Sequence, residues 1–127
     1  MNWVLIASGA LGFSAIALGA YGDHGLRGDV DAESMRSFET ALRYQLLHAL
    51  ALLAIGIGLA ASLPDRLHKR LLWAGTVMII GTVIFSGSIL ASIMMDIKSL
   101  TMATPFGGIT LMASWLMLAW AGFSKKA

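Results

Sequence analysis

The side chains able to do chemistry in this chain gather in two places. One is the run Arg43-Tyr44-Gln45-Leu46-Leu47-His48, and the other is Asp23-His24. On a helix of 3.6 residues per turn, Tyr44 and His48 share a face, while Arg43 and Gln45 point about 100° to either side of Tyr44. The four do not converge on one point. A proton or ion path would use His24, Tyr44 and His48, because ionisable residues in membrane segments mark such paths. A shallow quinone site, or haem ligation, would use the imidazoles of His24 and His48. Metal binding by Asp23, His24 and His48 has the least support, since these histidines lack helical ligand spacing. The plain alternative is structural: polar residues that snorkel or cap at a membrane edge. For a half-buried charge the natural partners are Asp23 for Arg43 across two helices, or Glu39 for Arg43 along one. His24 is the natural cross-helix partner of Tyr44 and His48.

The elements that must position these groups are apolar helices. The 127 residues are 57% hydrophobic and 13% charged, about half the charge of a soluble domain. A span needs roughly 20 apolar residues, so the length allows four spans and no separate soluble domain. The reading is an all-α, four-helix transmembrane bundle forming a single membrane domain, with spans at about 3–21, 46–63, 71–95 and 105–123. An amphipathic helix at about 32–45 leads into the second span, either lying in the interface or continuing it as one long helix. Met1–Ala20 lacks a basic n-region and reads as the first span rather than a cleaved leader. Asp65–Arg70 reads as a short polar turn, and Thr104-Pro105 as N-cap and first helical position.

Small residues mark the expected packing faces. Ser8, Gly12, Ala15, Gly19 and Gly22 recur at spacings of four and three along one face of the first span. Such a stripe serves close packing inside the bundle or, as the second reading, a seam between protomers. Ser86, Gly87, Ser88, Gly107 and Gly108 are the other candidates, with the serine hydroxyls expected to bond back to their own helix or, as the second reading, across to a neighbouring one.

Several functions are excluded or unsupported. No cysteine is present, so there is no disulfide, thiolate site or cysteine nucleophile. Basic residues are dispersed and the net charge is +2, which leaves no nucleic-acid footprint. No phosphate loop and no nucleophile–base pair is readable, so no enzyme and no bound cofactor is expected. The expected partners are membrane lipids, copies of the same chain, or a larger membrane complex. Arg66, Lys69, Arg70, Lys125 and Lys126 fall on the side of the termini, against Arg27, Arg36, Arg43 and Lys98 on the other. Trp3, Trp73 and Trp120 share the first side as an aromatic belt, and together these place both termini in the cytoplasm.

Gly19-Ala20-Tyr21-Gly22-Asp23-His24-Gly25-Leu26, Phe38, Tyr44 to Leu53, Phe85-Ser86-Gly87-Ser88 and Thr104-Pro105-Phe106-Gly107-Gly108 together resemble the domain-of-unknown-function family 423. That family is also called uncharacterised membrane protein family 0382, and eukaryotic transmembrane protein 256 is similar. The resemblance runs in order over nearly the whole chain. It implies a small multi-pass protein of bacterial cell membranes and supplies no reaction or substrate. His24, Tyr44, Gln45 and His48 match its pattern. Asp23 departs from it, standing where alanine is usual.

Overall fold

Four helices dominate the computed structural model, which describes residues 1–125. Helix α1 is Trp3–Tyr21, α2 is Ala32–Ala60, α3 is Asp65–Met94 and α4 is Thr104–Ala121. A π-helical turn, Gly22–Leu26, extends α1, and a 3-10 turn, Lys98–Ala103, precedes α4. With those extensions, each of the four is long and apolar enough to cross a membrane. Lys126 lies outside the described residues.

The ends of the helices follow from side-chain chemistry. Asn2 caps α1, its side-chain Oδ1 accepting from the Leu5 amide and its side-chain Nδ2 donating to the Gly56 carbonyl at 2.8 Å. One residue thus starts α1 and fixes it against the end of α2. Asp31 caps α2 through the Ser34 amide at 2.7 Å. At α4 the expectation differs from the finding. Thr104 already has helical dihedrals and makes no side-chain cap; its hydroxyl meets Ser88 of α3 instead, while Ala103 takes the cap position.

Two boundaries move for one physical reason. Asp65–Arg70 is not a turn but the first turns of α3, entered from Pro64. For the stretch 32–45 the continuous alternative holds: it is the first half of α2 and does not lie apart in the interface. At about 1.5 Å per residue, α2 and α3 measure some 44 Å, well beyond the hydrocarbon thickness. Charges on the projecting turns meet headgroups or water, so a helix continues through them without apolar periodicity. The α2 overhang lies on the side away from the termini, and the α3 overhang on the side of the termini.

Helices α2 and α3 pack at the centre, α1 lies against α2, and α4 lies against α3. Helix α1 makes a smaller contact with α3, where Val4 meets Gly75, and α1 and α4 have no close backbone approach. The core has two clusters. Val4, Leu52, Ile55, Met78 and Leu111 fill the half nearer the termini; Leu26, Met35, Phe38, Ala41 and Leu90 fill the other.

Close approach depends on glycine where lipid supplies no hydrophobic drive. The α1 stripe faces α2: Gly12 opposes Ala49, Gly19 opposes Leu42, and a Cβ on Gly22 would sit 2.5 Å from the Phe38 ring. Ser8, buried in the same line, donates to the Ala49 carbonyl at 2.8 Å, and Ala15 is buried beside it. The stripe is therefore occupied within one chain and is not free as a seam between protomers. Gly107 abuts the backbone of Phe85, and Gly81 that of Leu111, which sets the α3–α4 distance. Gly108 borders the Phe85 ring at ordinary contact, and Gly87 faces open space.

Candidate functional site

Helix α2 runs antiparallel to α1 with Gly22 opposite Phe38, Gly19 opposite Leu42, Gly12 opposite Ala49 and Leu5 opposite Gly56. That register puts His48 level with residue 13, near the middle of the first span. The run Arg43–His48 is thus not the rim of the second span; it descends into the bundle, because α2 already packs against α1 from Phe38 onward.

His48 is 2% exposed. Its Nδ1 lies 2.7 Å from the Tyr44 carbonyl, which can only accept, so Nδ1 carries the proton. Its Nε2 accepts from the Trp115 indole N–H of α4 at 3.0 Å. One neutral tautomer therefore satisfies both ring nitrogens. Rings continue on both sides. Tyr44 lies nearly parallel to His48 with centroids 6.3 Å apart, and it meets Phe85 of α3 at 5.0 Å. Trp115 meets the His48 edge at 5.9 Å. Phe85, Tyr44, His48 and Trp115 form an aromatic string that joins three helices. It bridges α2 and α4, which otherwise have no close backbone approach.

Gln45, one position round from Tyr44, points the other way and is buried against α1. Its Nε2 donates to the Leu11 carbonyl at 2.9 Å and the Ser14 hydroxyl at 2.7 Å. Ser86 of α3 donates to the Ala41 carbonyl at 2.9 Å. The serine expectation is corrected for Ser86, which crosses between helices because Ala41 leaves its carbonyl accessible to a second donor. Ser88 does both, donating to Phe85 in its own helix and meeting Thr104. Asn2, Ser8 and Ser86 all bond carbonyls of α2, making that helix the one to which the others are tied.

The remaining candidates lie apart from this string. His24 is exposed on the π-helical turn, roughly 16 Å along the helix axis from the level of His48. It is not the partner of Tyr44 or His48. Asp23 does not pair with Arg43, nor does Glu39. Both instead hold Arg27, whose guanidinium donates to Glu39 at 2.8 Å and to Asp23 at 3.1 Å. The reason is that Gly22 does not end the helix: the π turn carries Asp23 and Arg27 round to face Glu39, leaving Arg43 one turn deeper. The hydrogen bond to Glu39, then that to Asp23, raises the Arg27 pKa. The capping bonds from Ser34 hold the Asp31 carboxyl below its usual range. Arg43 is exposed and makes no ion pair among the described residues.

At the other end, Arg70 stacks 3.7 Å over the Trp120 ring and donates to the Trp120 carbonyl and the Ser124 hydroxyl. It fastens the start of α3 to the end of α4. Sequence reasoning missed Arg70 as a tie, Trp115, and the packing glycines Gly56, Gly75 and Gly81. One signal for Trp115 was present. It is the tryptophan placed far from any span end, and an indole N–H in hydrocarbon needs an acceptor.

The family model described as "Protein of unknown function (DUF423)" matches residues 18–108, which contain the aromatic string up to Phe85, Gln45 and Gly107. The chain belongs to this family. A UPF0382 membrane protein of Staphylococcus aureus is 36% identical over 94% of this chain and 95% of its own length. The UPF0382 inner membrane protein YgdD of Escherichia coli K12 is 34% identical over 92% of this chain and 86% of its own. No solved structure matches. With four apolar helices of spanning length, the chain is a small multi-pass membrane protein of this family.

Proposed function

We propose that the chain is a non-enzymatic module of the cell membrane that assembles with copies of itself or joins a larger complex through the outward faces of α1 and α4. One observation carries this reading. Each of those helices packs mainly on one neighbour, and its outward face is wide, apolar and uncharged: Ile6, Phe13 and Ile16 on α1, Ile109, Met112 and Leu116 on α4. The polar groups inside the bundle are engaged in holding helices together, which leaves assembly to the outside. The absence of native cysteine makes the test direct. Phe13→Cys and Leu116→Cys, oxidised in membranes, are expected to give disulfide-linked dimers or adducts to a second protein, while the buried Ala15→Cys stays monomeric. Monomer throughout would sink the proposal.

A second reading, a proton-coupled channel or transporter, draws on His48 lying at mid-span. The geometry gives it less support, since His24 is far along the axis and no hydrogen bond extends from the Tyr44 hydroxyl among the described residues. The redox reading fares worse: the two histidines sit at different depths, and the Nε2 lone pair of His48 is taken. The orientation belongs to the proposal too. The α3 overhang carries Arg66, Lys69 and Arg70 on the side of the termini, supporting a cytoplasmic location. A C-terminal reporter active only in the cytoplasm is expected to signal, and silence would reverse the orientation.

A further inference from the structure

On the side away from the termini, the first turns of α2 stand apart from the last turns of α3 and the 3-10 turn. The space between them is an open cleft of about 530 Å³. Its size falls within the range of small-ligand sites. The lining is divided by chemistry. Arg36 and Lys98 supply two cations, and neither makes an ion pair among the described residues. Asp31, Glu33 and Asp96 supply three carboxylates. Asp96 sits in the left-handed region, φ 54°, at the sharp turn that brings the chain back over the cleft. The Asp31 carboxyl is held ionised chiefly by its capping bonds from Ser34, with the charge of Lys98 adding to them. Deeper in sequence along α2 and at the start of α4, Thr40 and Thr104 add hydroxyls, and Ile89 and Ile93 of α3 form an apolar wall.

We infer that this cleft binds the headgroup of a phospholipid carrying a phosphate and a primary ammonium. Both signs of charge are present in one cleft, so a ligand with both signs is matched while a purely anionic headgroup meets three carboxylates. The nature of the cation is also constrained. A quaternary ammonium is recognised by aromatic faces, and no aromatic residue lines the cleft. A primary ammonium instead donates hydrogen bonds to carboxylates and hydroxyls, which are what the lining offers. The lipid rather than a soluble ligand is favoured by position. The cleft lies where the spans leave the hydrocarbon, and the Ile89–Ile93 wall is continuous with the lipid-spanning part of α3. This site is independent of the assembly faces on α1 and α4.

The test is native mass spectrometry of the full chain with phosphatidylethanolamine, phosphatidylcholine and phosphatidylglycerol of one acyl composition. Phosphatidylethanolamine is expected to bind about tenfold more tightly than the other two, the scale of one charge-assisted hydrogen bond. Glu33→Gln and Asp96→Asn, each at an overhanging, solvent-facing position, are expected to remove that preference, and Arg66→Gln at the opposite end to keep it. Equal retention of the three lipids, or a preference untouched by both cleft variants, would overturn the inference. Displacement of the lipid by free phosphoethanolamine at equal concentration would also overturn it, because the site would then be one for a soluble ligand.

Discussion

Gly107→Ala is expected to lower the stability of the folded chain by about 2 kcal/mol net, the largest effect of any single methyl group added to the bundle. The added Cβ would stand 2.7 Å from the Phe85 Cα and 2.9 Å from its Cβ, and closer still to its amide nitrogen. These are backbone or backbone-attached atoms, so no side-chain rotation relieves the overlap. The helices must separate or tilt, and overpacking of this kind costs about 3 kcal/mol at its upper end. Alanine recovers up to about 1 kcal/mol through its better helix propensity, which gives the net figure. Gly87→Ala and Gly9→Ala are the controls. Both would place a methyl in open space, so they isolate the propensity gain and should be neutral or slightly stabilising. Reversible denaturation in mixed micelles reads all three. A Gly107→Ala midpoint equal to that of the parent would mean that α4 does not lie against Phe85 as described.

Gly107 also shows what the sequence carries. Its place in Thr104-Pro105-Phe106-Gly107-Gly108 marks it as a packing candidate, but nothing there separates it from Gly108, whose Cβ would meet only the rim of the Phe85 ring. The four apolar spans and the α1 stripe are legible because they depend on length and period, which are local properties. Which carbonyl Ser86 reaches, or that Gln45 turns to Leu11 while Tyr44 turns to Phe85, depends on inter-helix register. Register is fixed by shape fit between faces far apart in sequence. Gly56 against Leu5 and Gly75 between Val4 and Ile55 are illegible for the same reason. The misplaced ion pair has a different origin. Three glycines near Gly22 signal a helix end, but hydrogen bonding continued through a π turn, Arg27 N–H still reaching the Gly22 carbonyl at 2.9 Å, and that rotation redirected Asp23.

His48→Ala is expected to destabilise the chain by about 3 kcal/mol, and Trp115→Phe by about 1 kcal/mol. The alanine variant removes a buried ring, leaving a cavity between α2, α3 and α4; comparable large-to-small changes cost about 2–5 kcal/mol. It also strands the Trp115 N–H. The phenylalanine variant keeps most of the volume and deletes only the donor to Nε2, and interhelical hydrogen bonds in membranes contribute about 0.6 to 2 kcal/mol. The two losses share one bond, so the double variant should fall short of their sum by about 1 kcal/mol. Additivity would show that the 3.0 Å contact contributes nothing. Nitrogen NMR of the parent supplies an independent reading: His48 should show a protonated Nδ1 and an unprotonated Nε2, and the reverse tautomer would contradict the bonding described. The same variants separate structure from transport. If His48 is a tie between helices, every substitution that breaks the Trp115 bond reduces stability, and vesicles containing the parent show no proton flux to lose. If His48 relays protons, Trp115→Phe frees Nε2 and alters flux, whereas His48→Ala abolishes it at temperatures where both variants remain folded. Because both ring nitrogens already have partners within the chain, the first pattern is the expected one.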